Sequence, residues 1–343
     1  MPCFITQCNY LSAIEISARN TRRTFSTIIA QSTYREFPLS IQICMGGYGP
    51  PTTTHSRALK MIGVRLTAQF GGELDIKYVW NVMDFGYKAE EVLWMSERGL
   101  LTLAYQSTSY LTERVPELEF ADLPFLFASL DEARTAMDGA LGAYLSRKIE
   151  ERIPDYYMLG YLENGYRHVS NRLRAVHMPA DMRGMKIRSL PSQMHARTYE
   201  LLGATPLIMD LKPAIAAIKA GEIDAQENPL ANSVDYGVHK FHRYHTLTGH
   251  SYLSRGIYCN RAAFESWPAA LQTAMKEATR VAILAQRELA VREEDIARQT
   301  ILDAGGEVVE LTPAERAAFV NAVKPLHDEA RGRFGEAFAL LGK

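Results

Sequence analysis

Apolar residues occupy every second position from Leu39 to Met45, and a side-chain period of two predicts a strand with one buried face. Glycines and prolines over 46–51 end it, and helical spacing follows from about Thr54 to Phe70, closed by Gly71-Gly72. Leu74 to Trp80 is a second predicted strand, Lys88 to Glu97 a second helix, and Leu100 to Ala104 a third strand. This β-α-β-α-β order predicts a parallel sheet with helices on its faces.

Further along, Ser129 and Glu132 have capping-box spacing before a helix expected to reach Arg152, ahead of Pro154. Strands are predicted at Tyr157–Tyr161, Lys186–Leu190 and Tyr252–Cys259, with an extended segment at Glu222–Glu227 and a helix from Asp210 to Gly221. Trp267-Pro268 opens a helical run that ends only at Gly305-Gly306. At about 1.5 Å per residue, positions 268–303 span roughly 54 Å. A 150-residue domain is only roughly 40 Å across, so this helix is predicted to lie across two lobes. Thr312 and Glu315 cap the terminal helical region.

A chain of 343 residues favours two domains. Its 38 basic and 39 acidic side chains leave a formal charge of −1, without the basic excess of a nucleic-acid binder. No run approaches the roughly 18 apolar residues of a membrane-spanning helix, so the body is not expected to be membrane-embedded. Cys3, Cys8, Cys44 and Cys259 are too scattered for a disulfide framework or zinc knuckle, and whether Cys44 and Cys259 meet stays open. Residues 1–38 carry Arg22-Arg23 before a short run broken by Ser and Thr. They read as an atypical twin-arginine-like leader for periplasmic export, or as a plain tail.

The candidate chemistry narrows quickly. The 46–51 loop lacks the spacing of a phosphate loop, and its prolines offer no N–H groups. His239, His242 and His245 drift around a helix surface and have no acidic ligand beside them, so no metal is expected. No nucleophile elbow is present. Tyr105 to Tyr110 follows a strand end with only hydrogen-bonding side chains, the place where open α/β sheets bind ligands; it contains Tyr105, Ser107 and Tyr110. The strongest signal is a pair of arginines in strand settings, Arg167 and Arg188. Arginine is almost never fully buried without a partner. The partner is either an internal Asp or Glu or the carboxylate of a ligand, which a guanidinium grips bidentately.

The segment Pro179-Ala180-Asp181-Met182-Arg183-Gly184-Met185-Lys186-Ile187-Arg188 resembles the P-x-D-L-x-G-x-K-I-R signature of solute-binding proteins of tripartite ATP-independent periplasmic (TRAP) transporters, dicarboxylate-binding type. Leu202-Gly203-Ala204-Thr205-Pro206 with Met209 is similar to that family's L-G-A-x-P-x-x-M, and Ala217 to Pro229 to its A-L-x-x-G-x-V-D-G-Q-E-N-P. Thr248-Gly249-His250 and the stretch from Val115 to Phe127 also fit. The likeness covers about residues 39–335.

The resemblance implies an α/β, two-lobed fold of the periplasmic-binding-protein type, each lobe a mixed sheet flanked by helices, with hinge strands and one long helix spanning both. Lobe I is expected over 39–164 plus 252–290 and lobe II over 165–251 plus 291–335. It puts the principal carboxylate-binding arginine at Arg188, a second at Arg167 and the pocket asparagine at Asn228. Gln226 belongs to the same motif. The first lobe would add the Tyr105–Tyr110 loop and the 47–55 region, with Tyr48 and His55. Ala225, Leu211 and Ser107 depart from the pattern; Leu211 stands where an aromatic often packs on the ligand. The expected ligand is a small organic acid, the expected partners are the small and large subunits of a TRAP membrane permease, and no cofactor is implied. Two alternatives are a soluble enzyme using His250 or His168 as a base on a carboxylic acid, and the ligand-sensing subunit of a receptor.

Overall fold

The structure, a computed structural model, describes residues 40–343. The expected leader lies outside the described residues.

Strand β1 (Ile41–Gly46) leads into α1 (Thr54–Phe70), capped by the Thr53 side chain, which accepts the Ser56 N–H at 3.3 Å. Strand β2 (Leu74–Val79) follows. The helix expected from Lys88 opens as a single 3₁₀ turn over 89–91 before α2 (Val92–Glu97), and β3 runs over Leu103–Ser107. The single helix expected from Ser129 to Arg152 is two, α3 (Leu130–Asp138) and α4 (Ala140–Arg152). Gly139 separates them with a non-helical backbone (φ −100°, ψ −147°), and a Cβ there would meet the Thr135 carbonyl oxygen at 2.8 Å.

Beyond lies β4 (Tyr156–Asn171), then β5 (Lys186–Ser189), α5 (Gln193–Leu201), β6 (Thr205–Ile208), α6 (Leu211–Lys219), β7 (Ala225–Asn228) and α7 (Leu230–Asp235). Strand β8 (Tyr244–Asn260), α8 (Arg261–Ser266), α9 (Ala269–Asp303) and β9 (Glu307–Val309) precede three terminal helices, α10 (Pro313–Ala322), α11 (Lys324–Arg333) and α12 (Gly335–Leu340).

The strands form one mixed sheet in the order β2-β1-β3-β8-β4-β7-β5-β6, with β9 beside β8. Strands β4 and β8, of 16 and 17 residues, pair antiparallel as a central ribbon. The parallel trio β2-β1-β3 joins it where β3 pairs with the carboxyl end of β8, Ser107 opposite Arg255. The parallel trio β7-β5-β6 joins where β7 pairs with the carboxyl end of β4, Asn228 opposite His168. Because the ribbon is antiparallel, the two trios sit at its opposite ends, and the carboxyl ends of β3 and β7 both point toward its middle. This is the expected two-lobed α/β architecture.

Helix α9 runs 35 residues, about 52 Å. Its Gln286 amide donates to the Thr54 hydroxyl (3.1 Å) and the Glu163 carbonyl (2.7 Å) on the first trio's side. Two turns on, Glu294 accepts the N–H groups of Leu230 (2.7 Å) and Ala231 (3.0 Å), capping α7 on the other. The long helix therefore backs both lobes.

Candidate ligand-binding site

Where the two trios meet the ribbon they line a small, partly open cavity. Tyr48, Ser107 and Tyr110 approach from the first trio; Arg188, Leu190, Leu211, Asn228, Asn232 and Tyr236 from the second; Arg167, Leu253 and Arg255 from the ribbon. Strand alternation explains the position of Arg188: Ile187 points into the core, while Arg188 turns to the opposite face with Leu190. Lys186, at the strand's start, is exposed.

Arg188 is only 2% exposed. Its Nε donates to the Met209 carbonyl at 3.1 Å, and its Nη2 has a long contact, 3.5 Å, with the Tyr110 hydroxyl. Among the described residues it forms no ion pair. Arg167 differs: its guanidinium is paired with the Glu227 carboxylate through Nε and Nη2, and Nη2 also donates to the Glu227 carbonyl at 2.7 Å. Of the two partners that sequence left open, an internal acid is found for one arginine and not for the other. Arg167 has an internal acid and meets the cavity as an already neutralised donor, whereas Arg188 has none.

Asn228 is held by Gln226, whose Oε1 accepts its amide at 3.0 Å, and Gln226 is in turn fixed to the Ser233 hydroxyl at 3.2 Å. The Ser107 backbone N–H donates to the Tyr48 hydroxyl at 3.2 Å, while the buried Ser107 hydroxyl has no protein partner.

Seven of the ten residues expected here line the cavity; Tyr105, Gln226 and His55 stand behind its wall. The Tyr105 ring packs against Tyr48 and over Gly47, where a Cβ would fall 2.3 Å from it, and its hydroxyl meets Ser56 Oγ at 3.3 Å. Gln226 reaches the site only through Asn228. His55 spends its Nε2 on the Glu163 carbonyl at 3.0 Å, and burial holds its pKa well below the usual range. Among the lining residues that sequence reasoning missed, Arg255 carried a legible signal: it is an arginine inside the apolar run Tyr252 to Cys259, the feature that singled out Arg188.

The remaining candidates sit elsewhere. Both nitrogens of His250 are engaged, by Tyr199 (3.0 Å) and Thr248 (2.7 Å). His168 accepts the Gly249 N–H at 3.1 Å and lines a different, larger cavity with Glu163, Glu294 and Arg316. That cavity's acids already have partners, Glu163 in a bidentate pair with Arg134 and Glu294 on α7. His242 and His245 are buried, bonded to Ser170 (3.0 Å) and to the His242 carbonyl (3.1 Å). No group of three or more metal-ligating side chains clusters among the described residues. Cys44 and Cys259 are free thiols, and no described helix is long and apolar enough to cross a membrane.

Two half-sheets on a shared ribbon, a helix backing both and a buried polar cavity between them define a protein that encloses a small solute. The chain belongs to the bacterial extracellular solute-binding proteins of family 7, whose family model matches residues 45–332. A solute-binding protein of Verminephrobacter eiseniae is 31% identical over 267 residues, 78% of each chain. The C4-dicarboxylate-binding periplasmic protein DctP of Rhodobacter capsulatus is 29% identical over 222 residues, 64% of this chain and 66% of that one. A TRAP periplasmic solute-binding protein from Shewanella oneidensis, solved with bound succinate, superposes with a TM-score of 0.83 over 88% of this chain and 98% of that one, at 22% identity.

Proposed function

We propose that this chain is the extracytoplasmic receptor of a TRAP-type transporter: it captures a small organic acid between its lobes and hands it to a membrane permease pair. The observation that carries the reading is Arg188, a buried guanidinium facing a cavity with no acid of its own. A buried charge without a partner is strongly disfavoured, and a ligand carboxylate supplies the missing partner through charge-assisted bonds. Asn228 and Tyr110 add donors, and Ser107 offers a hydroxyl with no competing protein bond. The family membership and the carboxylates named for its relatives support the same class of solute.

Lobe I is 39–164 plus 252–290 and lobe II 165–251 plus 291–335, with the hinge in the β4–β8 ribbon. Its register is irregular between Glu163 and Gly165 and again between Arg167 and Val169, where regular pairing gives least resistance to bending. Closure expels water, and the lower dielectric strengthens the arginine contacts. The test is a thermal-shift and calorimetric screen over mono- and dicarboxylates, sugar acids and aromatic acids, with product analysis of the same incubations. Stabilisation by an acid that emerges unchanged, lost in Arg188→Ala, is the expected result. Turnover of the acid would favour the enzyme reading instead.

A further inference from the structure

A second cavity lies on the face of β4 opposite the arginine cavity. Tyr166 and His168 line it, while Arg167 between them turns to the other side. It is partly open, with a volume of about 430 Å³, within the roughly 300–1,000 Å³ of ordinary ligand pockets. Its walls gather where the pairing of the ribbon slips. Glu163, Asn164 and Gly165 come from one irregularity. Leu247, Thr248 and Gly249 come from the other, where His168 alone stands against residues 247–250 of β8.

Four titratable side chains line this cavity: Glu163, His168, Glu294 and Arg316. Glu163 is paired, with both oxygens held by Arg134 at 2.7 Å. His168 is neutral near pH 7, because burial lowers its pKa to about 4. Its Nδ1 accepts the Gly249 N–H, so its proton sits on Nε2, 3.8 Å from Glu294 Oε1 and beyond hydrogen-bond reach. Glu294 is therefore a carboxylate whose close partners are two backbone N–H groups, of Leu230 and Ala231, and burial raises its pKa. Arg316 is its opposite. Its guanidinium lies over the Phe125 ring at 4.9 Å, and its hydrogen bond to the Thr248 carbonyl is long, at 3.4 Å. Among the described residues Arg316 forms no ion pair, with Glu294 or with any other acid. Asn164 adds a buried Nδ2 without an acceptor, and Leu130, Leu247, Ala290 and Val291 supply apolar surface.

A cation and an anion that share a cavity without touching are matched by a molecule that carries both signs. A carboxylate on Arg316 gains charge-assisted bonds, and an ammonium on Glu294 uses the lone pairs that the backbone leaves free. A simple acid satisfies Arg316 but adds a second negative charge to the cavity that holds Glu294, and a simple amine errs the other way. We infer that this cavity is a second ligand site, separate from the cleft, and that it takes a small zwitterion with an apolar body, of the α-amino acid class, its carboxylate on Arg316 and its ammonium on Glu294. Arg188 and the cleft take no part in it.

Calorimetry compares L-leucine with three probes: 4-methylpentanoate, which lacks the ammonium, 3-methylbutylamine, which lacks the carboxylate, and glycine, which lacks the apolar body. Leucine is expected to bind at least about tenfold tighter than each, as one charge-assisted contact or one buried aliphatic group requires. That advantage is expected to persist in Arg188→Ala. In Arg316→Gln leucine is expected to fall to within about threefold of the amine, and in Glu294→Gln to within about threefold of 4-methylpentanoate. Glu294→Gln also disturbs the cap of α7, so circular dichroism first confirms that each variant is folded; the probe series in the unaltered protein needs no variant. Absence of leucine binding at millimolar concentration, equal binding of leucine and either singly charged probe, or an unchanged pattern in Arg316→Gln overturns the second site. Loss of leucine binding in Arg188→Ala overturns it too, by placing the amino acid in the cleft. Capture of organic acids by Arg188 is read separately, in the screen above.

Discussion

The Asp210 carboxylate, on the α6 side of the cavity, accepts the backbone N–H of Ala89 at 3.2 Å from the opposite trio of strands. Its second oxygen accepts the Glu90 N–H at 3.0 Å, and the same side chain caps α6 through the Lys212 N–H at 3.1 Å. One residue earlier, the Met209 carbonyl holds Arg188. Arg188's carbonyl partner and a contact between the half-sheets are thus neighbours in the chain, so on the proposed reading an anion held by Arg188 is coupled to the contact across the cleft.

Asp210→Asn preserves a competent helix cap but removes the charge from these two contacts. Bonds to a charged group contribute about 1.5–3 kcal/mol each, and only those present in the closed state bias the hinge. Ligand affinity is expected to fall by about tenfold, chiefly through faster release. Stopped-flow dissociation measures it, and an unchanged off-rate would remove Asp210 from the closing contact.

Arg188→Ala is expected to abolish measurable binding at micromolar ligand, with a melting temperature within a few degrees of the unaltered protein, because an unpaired buried charge is lost along with its packing. Arg188→Lys also binds poorly, since an ammonium lacks the planar fork that grips a carboxylate in two places. Near-normal affinity of the Lys variant in calorimetry would argue against bidentate capture.

Particular elements show what the sequence exposes and what it hides. Helices α1 and α9 are legible because caps and breakers flank an uninterrupted 3.6-residue pattern. Strands β4 and β8 are only half legible: register shifts interrupt the period of two, so Tyr157–Tyr161 and Tyr252–Cys259 stand out while their partners in the same strands do not. Arg188 is visible as a charge among apolar residues. The neutralisation of Arg167 is not, because Glu227 lies 60 residues away and arrives only through the β4–β7 register that sets it opposite Val169. Tyr105 and His55 fall behind the cavity wall for a similar reason: sequence places them at a strand end and a helix start but does not say which layer of side chains faces the ligand.

The Arg167–Glu227 pair yields a stability prediction. Both side chains are at most 2% exposed. Glu227→Gln strands the guanidinium, and breaking one partner of a buried pair costs about 3–5 kcal/mol. The melting temperature is expected to fall by about 5–12 °C. The double variant Arg167→Met with Glu227→Met is expected to recover most of that loss, because two apolar side chains of similar volume leave no uncompensated charge. Failure of the double variant to recover would place the energy in the surrounding Tyr199 and His250 contacts instead.

Acid should unfold this protein earlier than its near-neutral charge balance implies. Burial lowers the pKa of His168 to about 4, of His242 to about 3 and of His245 to about 4, and holds His55 and His250 well below the usual range. Unfolded histidine takes its proton near pH 6.5, so below that value the unfolded chain binds protons that the folded one refuses. Stability is therefore complete above about pH 6.5 and is lost as pH falls toward about 4. Two carboxyls act in the opposite sense: burial raises Asp235 to about 6 and also raises Glu294, so the folded state takes up their protons first. Five sites outweigh two. Each histidine that the folded state keeps neutral lowers stability by up to about 1.4 kcal/mol per pH unit below its unfolded pKa. Urea unfolding at about pH 7, 6 and 5 is expected to show a falling midpoint, with a shallower fall in His168→Gln; a flat profile would mean that these histidines are accessible to protons in the folded state.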